Sequence, residues 1–215
     1  MEPKIKIDLS TRLAAGEPVV LELGCGKAPQ PGRIGVDRID LEGVDIVADL
    51  EDGLSFLPDS SVDEIHCRSL LEHLDNFELF MREAVRVLKP NGTCHVFVPH
   101  FSNPYYYSDW SHRRFFGLYT FYYFVPQARQ MGRTVPDYYT DIRIRILKQR
   151  LKFSSPFRIR RMLKKLLQWF FNLNPYLQEF YEEVLCWTYP CYGLEIVFTP
   201  DRPAPEYVAA GTGYV

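Results

Sequence analysis

The first half of the chain alternates short apolar runs with polar or glycine-containing breaks, which is the pattern of β-strands joined by loops and helices. The run 19–23 is apolar except for Glu22, which predicts a central parallel strand covered on both faces. Residues 77–88 place apolar side chains at helical spacing and predict an amphipathic helix. Strands are predicted at 19–23, 33–37, 44–49, 62–67 and 94–99. This alternation predicts a mostly parallel sheet.

The second half has a different pattern, because aromatic residues crowd 101–126 too densely for one face of a strand or a helix. A sixth strand is predicted at 142–153 and a last strand at 194–199. Two helices are predicted between them, at 158–171 and 176–188. At the ends of the chain we expect a short helix at 9–14 and a loosely ordered tail at about 200–215.

The helix at 158–171 is basic and amphipathic. Its apolar stripe consists of Ile159, Met162, Leu163, Leu166, Leu167 and Phe170. Burial against the domain is the commonest fate of such a stripe. The helix could also close over an active site, form a dimer interface or lie on a membrane surface.

Composition fits one domain of 215 residues that is hydrophobic at 47% and charged at 24% of its positions. Neither a signal peptide nor an apolar run of the ~20 residues that a membrane span needs is evident. The five cysteines are scattered and include no CxxC pair, so neither a disulfide framework nor a zinc knuckle is indicated. These features favour a cytoplasmic protein.

Charge is distributed unevenly along the chain, although the net charge is only −2. Residues 1–109 contain 19 acidic and 10 basic residues, whereas residues 110–215 contain 8 acidic and 15 basic ones. The segment 142–178 contains 10 basic residues and no acidic one. It could face an anionic partner or form an ordinary solvated cationic surface.

The turn after the first strand is the strongest indication of chemistry. Gly24 and Gly26 allow the backbone to turn sharply and to approach a ligand closely. Pro29 stands where a dinucleotide-binding turn has its third glycine, and proline prevents the phosphate-binding helix. S-adenosylmethionine, which has no phosphate, fits better. Asp37 could accept both ribose hydroxyls, and Asp49 could accept the adenine amino group.

The segments LELGCGKAP, IGVDRID, DIVADLED, SVDEIHCRSLLEHL and EAVRVLKPNGTCHVFVPH resemble the class I S-adenosylmethionine-dependent methyltransferases. More narrowly, they resemble the small bacterial methyltransferase type 11-like proteins. The resemblance is good over about 18–100 and only general in layout over 101–215. It implies a Rossmann-like α/β sheet of order 3-2-1-4-5-7-6 with an antiparallel strand 7. The helices at about 158–188 are then an insertion between strands 6 and 7.

The resemblance also implies a cofactor site. It assigns the turn to Gly24 and Gly26, the ribose to Asp37 and the adenine to Asp49. Arg68 and Ser69 come where the cofactor and the substrate meet. The full predicted set for S-adenosylmethionine, or for its product S-adenosylhomocysteine, is Glu22, Gly24, Cys25, Gly26, Asp37, Arg38, Asp49, Leu50, Arg68 and Ser69.

Four residues are candidates for catalysis. His112 could act as a base oriented by Asp109, because the two are three positions apart. His100 follows the fifth strand and His73 follows the fourth. His100, Asp109 and His112 could alternatively bind a divalent ion, although no metal ligand is assigned. The acceptor is expected to contact Tyr105, Tyr106 and Arg113.

The sequence therefore predicts one methyltransferase domain over 1–215, with a cofactor half at about 1–100 and a substrate and lid half at about 101–190. We expect a small-molecule acceptor that is methylated at oxygen, sulfur or carbon, by a monomer or homodimer. One alternative is a nucleic-acid or protein methyltransferase that uses the basic segment 142–178, although no nucleic-acid motif is evident. Another is a module that binds S-adenosylmethionine without catalysis.

Overall fold

The computed structural model describes residues 2–27 and 29–202, which form one eight-stranded mixed sheet with helices. The strands are β1 Lys4–Ile5, β2 Val20–Leu23, β3 Ile34–Asp37, β4 Ile46–Val47, β5 Val62–Arg68, β6 Leu88–Pro99, β7 Ile144–Lys152 and β8 Gly193–Pro200. The α-helices are α1 Leu9–Ala14, α2 Phe77–Val87, α3 Arg158–Phe171 and α4 Pro175–Phe180. A π-helical turn, Tyr181–Leu185, continues α4.

The strand order is β1-β4-β3-β2-β5-β6-β8-β7. Without the edge strand β1 this is the predicted order 3-2-1-4-5-7-6, which is confirmed. β8 is antiparallel to both of its neighbours, and α3 and α4 lie between β7 and β8 in the chain, as expected. The two-residue strand β1, antiparallel to β4, was not predicted, because so short a strand leaves no periodic pattern.

The central strand β2 is fully covered on one face and only partly covered on the other, here called the open face, so the prediction of burial on both faces holds for one face only. Leu21 and Leu23 are fully buried, whereas Glu22 on the other face is half-buried. The same open face presents His66 and His95, whose rings stack with centroids 4.5 Å apart. The described residues between β2 and β3 contain no helix that could cover this face. The cause is the proline-rich loop, which cannot continue into a helix.

Helix α2 and the aromatic segment cover the other face. The Asn76 side chain caps α2 by accepting a hydrogen bond from the Leu79 amide at 3.0 Å. Phe77 packs edge-on against Phe116, Phe121 and Phe124, with centroid distances of 5.5, 5.6 and 5.7 Å. Much of the aromatic segment is therefore core, and it folds as short 3-10 turns at Tyr106–Ser108 and Thr120–Phe124.

Near the start of the chain the structure agrees with the predicted helix, whereas near its end the last strand extends into the predicted tail. Helix α1 has the predicted bounds. Pro200, where the loosely ordered tail was expected to begin, is part of β8, and Asp201 pairs with Arg129 at 2.9 Å. The rest of the predicted tail, 203–215, lies outside the described residues. Within the described chain, no helix has the length and apolar character needed to cross a bilayer.

Candidate active site

The carboxyl ends of four parallel strands meet at one edge of the sheet and border a cavity of about 390 Å³, here called the edge cavity. Gly24 follows β2, Asp37 ends β3, Asp49 comes two residues after β4, and Ser69 follows β5. The wall also includes Arg38, Leu50, Leu70, His73 and Arg113. Open α/β sheets bind ligands at this edge. The fold thus gathers most of the predicted cofactor residues around one cavity.

The glycine turn owes its shape to backbone conformations that favour glycine. Gly24 has φ +67° and Gly26 has φ +61°. A Cβ on Gly24 would lie 3.0 Å from Leu70 Cδ1, whereas a Cβ on Gly26 would meet nothing within 4 Å. The Gly26 amide donates to Asp37 Oδ2 at 2.9 Å. Gly24 therefore borders the edge cavity directly, and Gly26 connects the turn to Asp37.

Two carboxylates face the edge cavity from neighbouring strands. Asp37 Oδ1 accepts from the Ile39 amide at 3.0 Å, so both Asp37 oxygens are held by backbone donors. Asp49 Oδ1 accepts from the Glu51 amide at 3.0 Å at the start of a 3-10 turn. These bonds fix the carboxylates without neutralising them, so both can accept hydrogen bonds from hydroxyl or amino groups.

Four residues of the predicted cofactor set do not line the edge cavity: Gly26, described above, and Glu22, Cys25 and Arg68. Glu22 lies on the open face of the sheet, where it accepts from the Gln30 amide at 2.8 Å and lies 3.5 Å from Arg33. Arg68 lies on the same face with its guanidinium 4.6 Å from the Phe97 ring centroid. The Cys25 thiol points to its own loop, and burial raises its pKa to about 11. Glu22 thus holds the loop that follows the glycine turn, on the face of the sheet away from the edge cavity.

A second cavity of about 530 Å³, here called the aromatic cavity, adjoins the first. Ser69 and His73 line both cavities. The wall of the aromatic cavity includes Glu72, Phe97, Asn103, Tyr105, Tyr106, Asp109, His112, Ser155, Arg161 and Tyr192. The predicted catalytic residues His73, Asp109 and His112 are therefore brought together at the junction of two cavities.

His112 is fixed in one tautomer by its neighbours. Its Nδ1 lies 2.9 Å from the Tyr106 carbonyl oxygen. Because a carbonyl can only accept, Nδ1 carries the proton in the neutral ring and Nε2 has the lone pair. Nε2 lies 3.5 Å from Asp109 Oδ2. This arrangement resembles a base with an adjacent carboxylate that stabilises the protonated ring.

His73 belongs to the same network. The Ser111 hydroxyl donates to Asp109 Oδ1 at 2.6 Å, and His73 Nδ1 lies 3.0 Å from that hydroxyl oxygen. His73 Nδ1 is therefore the donor to Ser111. Burial and the neighbouring His112, whose ring centroid is 4.9 Å away, lower the pKa of His73. Hydrogen bonds from Ser111 lower the pKa of Asp109, which keeps it anionic.

Sequence reasoning missed Glu72, which points into the same network. Its side chain is 1% exposed, and its Oε2 has no hydrogen-bond partner in the described chain. Burial raises the pKa of Glu72 to about 7. The available signal was a glutamate that directly follows Leu71 and comes two positions before Leu74, since both leucines are buried. Glu72, His73 and His112 each offer an atom within 4.8 Å of the others, so together they could hold a metal ion.

His100 lies apart from both cavities. It is fully buried, with Nδ1 2.8 Å from Ser102 Oγ and Nε2 3.1 Å from Glu182 Oε2. Glu182 also accepts from the Leu118 amide at 2.6 Å. The proposed metal set of His100, Asp109 and His112 is therefore not assembled. His100 instead ties the end of β6 to the insertion between β7 and β8.

The predicted substrate residues divide between the two cavities. Tyr105 and Tyr106 line the aromatic cavity, and the Tyr106 hydroxyl donates to the Arg114 carbonyl at 2.8 Å. Arg113 instead lines the edge cavity, where it pairs with Asp75 at 3.0 Å. Its position relative to the two cavities could not be read from sequence spacing, because the loop that carries it folds back over the strand ends.

Comparisons with known proteins agree with this architecture. Residues 30–96 match the methyltransferase domain family. A search of curated sequences found no significant match. One similar solved structure is a Haloferax volcanii methyltransferase, described as putative, in complex with the activator Trm112. It has 16% identity and a TM-score of 0.50, and the alignment covers 90% of this chain and 89% of that chain.

Two further solved structures were found to be similar. Haemonchus contortus phosphoethanolamine N-methyltransferase 2, in complex with S-adenosyl-L-methionine, has 13% identity and a TM-score of 0.50, and the alignment covers 86% of this chain and 49% of that chain. A SAM-dependent methyltransferase from Archaeoglobus fulgidus has 15% identity and a TM-score of 0.47, and the alignment covers 84% of this chain and 85% of that chain. Residues 30–96 thus match a methyltransferase domain, and the sheet has the strand order of the class I methyltransferase fold.

Proposed function

We propose that the enzyme methylates a small molecule bound in the aromatic cavity, at an oxygen, sulfur or carbon atom. The observation that carries this proposal is the shared wall of the two cavities at Ser69 and His73, with His112 on the aromatic side. A cofactor in one cavity and an acceptor in the other would meet across that wall. Residues from about 101 to 190 would then provide most of the contacts to the acceptor, within the same single domain as the cofactor site.

The edge cavity has the donor and acceptor groups that S-adenosylmethionine requires. Asp37 would accept from the ribose hydroxyls and Asp49 from the adenine amino group, with Leu50 against the ring. Gly24 leaves space that a side chain would fill, since its Cβ would already crowd Leu70. When bound, S-adenosylmethionine supplies a methyl group on a positively charged sulfur. We propose that the methyl group faces the aromatic cavity, past Ser69 and His73.

His112 is proposed as the base for an acceptor that must lose a proton. Its Nε2 lone pair takes the proton while the acceptor atom attacks the methyl carbon and the carbon–sulfur bond breaks. Asp109, at 3.5 Å, stabilises the imidazolium that forms, and the Tyr106 carbonyl holds the ring in place. The products are the methylated acceptor and S-adenosylhomocysteine.

The test is the pair His112→Ala and His95→Ala, assayed with labelled methyl donor and a metabolite extract. His95 is a matched control on the open face of the sheet, half-buried like His112. We expect His112→Ala to lower turnover by about 10²–10⁴-fold while calorimetric affinity for S-adenosylmethionine stays nearly constant. Turnover equal to that of the unaltered enzyme would reject His112 as the base.

A metal ion at Glu72, His73 and His112 is a second candidate for the same site, because the Glu72 oxygen has no partner there. A metal would position the acceptor oxygen and lower its pKa. Dialysis against a chelator separates the two ideas. Activity that is lost and then restored by added divalent ions would favour the metal. Full activity in metal-free enzyme would favour His112 acting alone.

The substrate class is tested by depleting the extract of polymers. Activity that survives depletion supports a small molecule. Activity that disappears, with substrate affinity falling steeply as salt rises, would favour a nucleic acid bound by the basic segment 142–178. Binding of S-adenosylmethionine without any S-adenosylhomocysteine production, over broad acceptor pools, would favour a non-catalytic binding role.

A further inference from the structure

Helix α3 presents its apolar stripe to solvent. The stripe, here called the exposed α3 face, consists of Ile159, Met162, Leu163, Leu166, Trp169 and Phe170. Ile159 is 86% exposed, Met162 72% and Leu166 64%. At ~3.6 residues per turn these positions share one side of the helix. Burial of this stripe against the domain, the commonest expectation, is not observed; only Leu167 of the predicted stripe is half-buried.

The opposite side of α3 attaches the helix to the protein. Phe171 is buried there, and the Gln168 side chain accepts from the Phe153 amide at 3.0 Å. Lys164 Nζ donates to the Pro190 carbonyl at 3.0 Å. Apart from Phe171 and Leu167, the side chains that face the protein are thus polar, and the other apolar side chains of the helix face solvent. A large exposed apolar patch of this kind marks a surface that contacts something else.

The charges around the exposed α3 face indicate what it contacts. Residues 158–171 include Arg158, Arg160, Arg161, Lys164 and Lys165 and no acidic residue. Arg158 and Lys165 border the apolar stripe on the helix surface. Exposed Trp169, Phe170 and Phe157 have the aromatic character typical of the lipid–water interface. Apolar and aromatic groups flanked by cations fit a partner surface that has an apolar interior and anionic groups at its boundary with water.

We propose that the exposed α3 face docks on an anionic lipid membrane, with the helix lying in the plane of the interface. Fourteen residues give a helix of ~21 Å, enough for several turns of contact and too short to span a bilayer. The apolar stripe enters the boundary between headgroups and acyl chains, and the flanking cations bind anionic headgroups.

A second copy of the chain is a poorer occupant of this face. In a twofold symmetric dimer the same patch contacts itself. Such a contact would bring the cations Arg158 and Lys165 of both copies into one interface, with no acidic residue of 158–171 to compensate. An anionic lipid surface satisfies the apolar and the cationic groups together.

The experiment is flotation with vesicles of equimolar phosphatidylglycerol and phosphatidylcholine, compared with vesicles of phosphatidylcholine alone. The variant is Leu166→Glu, and its matched control is Leu147→Glu. Both leucines are more than half exposed, at 64% and 51%, and both changes alter the net charge equally. The assay requires neither methyl donor nor acceptor, so its result is independent of the proposed reaction.

We expect binding to the anionic vesicles only, lowered at least tenfold by Leu166→Glu and by high salt and retained by Leu147→Glu. The milder variant Trp169→Phe should remove most of the tryptophan quenching by brominated lipids, which guards against misfolding of Leu166→Glu. Absence of vesicle binding, or equal loss in both glutamate variants, would overturn the proposal. So would a concentration-dependent dimer that Leu166→Glu dissociates in the absence of lipid, since the occupant would then be a second copy.

Discussion

The edge cavity and the aromatic cavity share Ser69 and His73, yet the chain builds them in different ways. The polar groups of the edge cavity stand at strand ends, and backbone bonds hold the turn, such as Gly24 N–H to the Val36 carbonyl at 2.8 Å. Those of the aromatic cavity stand on loops and 3-10 turns, joined by side chains such as Ser111 and Asp109 at 2.6 Å. The sheet fixes the first cavity, and a side-chain network fixes the second.

This difference has a functional consequence. A binding site fixed by strand register tolerates changes in distant loops, because the register does not depend on them. A site fixed by side-chain bonds can change shape when one partner changes. Under the proposed function, the enzyme could therefore alter its acceptor through the aromatic cavity while its cofactor site stays intact.

The largest expected effect is a loss of affinity for S-adenosylmethionine that distinguishes Gly24 from Gly26, the two glycines of the turn. Gly24→Trp should weaken binding of S-adenosylmethionine about a thousandfold, or ~4 kcal/mol, because the side chain enters the edge cavity and meets Leu70. Gly26→Trp is the control, since its φ is also positive and its Cβ direction is open. Left-handed backbone strain of ~1–2 kcal/mol applies to both variants, so calorimetric affinity is measured beside the free energy of unfolding. Equal affinity losses would show that strain alone disables the turn.

Prediction from the sequence succeeded where strands and their ends determine the structure. The strand order and the positions of Gly24, Asp37 and Asp49 follow from apolar runs that end in glycine or aspartate. Parallel strands bring such ends to one edge without any knowledge of loop conformation. The antiparallel last strand came from the family resemblance, because periodicity does not reveal strand direction.

Prediction was weaker where long-range side-chain contacts decide the structure. His100 follows β6, as a residue at the ligand edge would, but Glu182 is 82 positions away and binds its ring. Glu72 became buried because loops cover it, which local sequence does not report. The exposed α3 face has the pattern of a buried stripe, because periodicity shows that a helix has an apolar side and not where that side points.

A smaller effect, on stability rather than on turnover, should distinguish His100 from His112. His100→Ala removes a buried ring that bonds Ser102 and Glu182, so we expect the free energy of unfolding to fall by about 3–4 kcal/mol. Below its unfolding temperature the variant should keep turnover within about twofold, because His100 lines neither cavity. Denaturant unfolding and labelled-methyl assays measure the two quantities. A hundredfold loss of turnover in folded His100→Ala would extend the catalytic network to the end of β6.

The smallest effect concerns the pH dependence of stability and compares Glu72 with Glu83 of α2. Burial raises the pKa of Glu72 from 4.5 to about 7, so the folded state binds its proton more tightly than the unfolded state does. The contribution of protonated Glu72 to the free energy of unfolding is therefore complete below pH 4.5, and it is lost as the pH rises to about 7. Glu72→Gln removes this loss, so its stability relative to the unaltered enzyme should rise by about 3 kcal/mol across that window.

Glu83 should behave in the opposite way. A hydrogen bond from Arg86 lowers the pKa of Glu83, so it stabilises the fold above pH 4.5 and less as pH falls through its folded pKa. Glu83→Gln should therefore lose stability relative to the unaltered enzyme as pH rises from the acidic range. Urea unfolding of both variants between about pH 3 and about pH 8 gives the two slopes. Slopes of the same sign would mean that Glu72 has a partner in solution, and the aromatic cavity would then lack the unpaired carboxylate that sets it apart from the edge cavity.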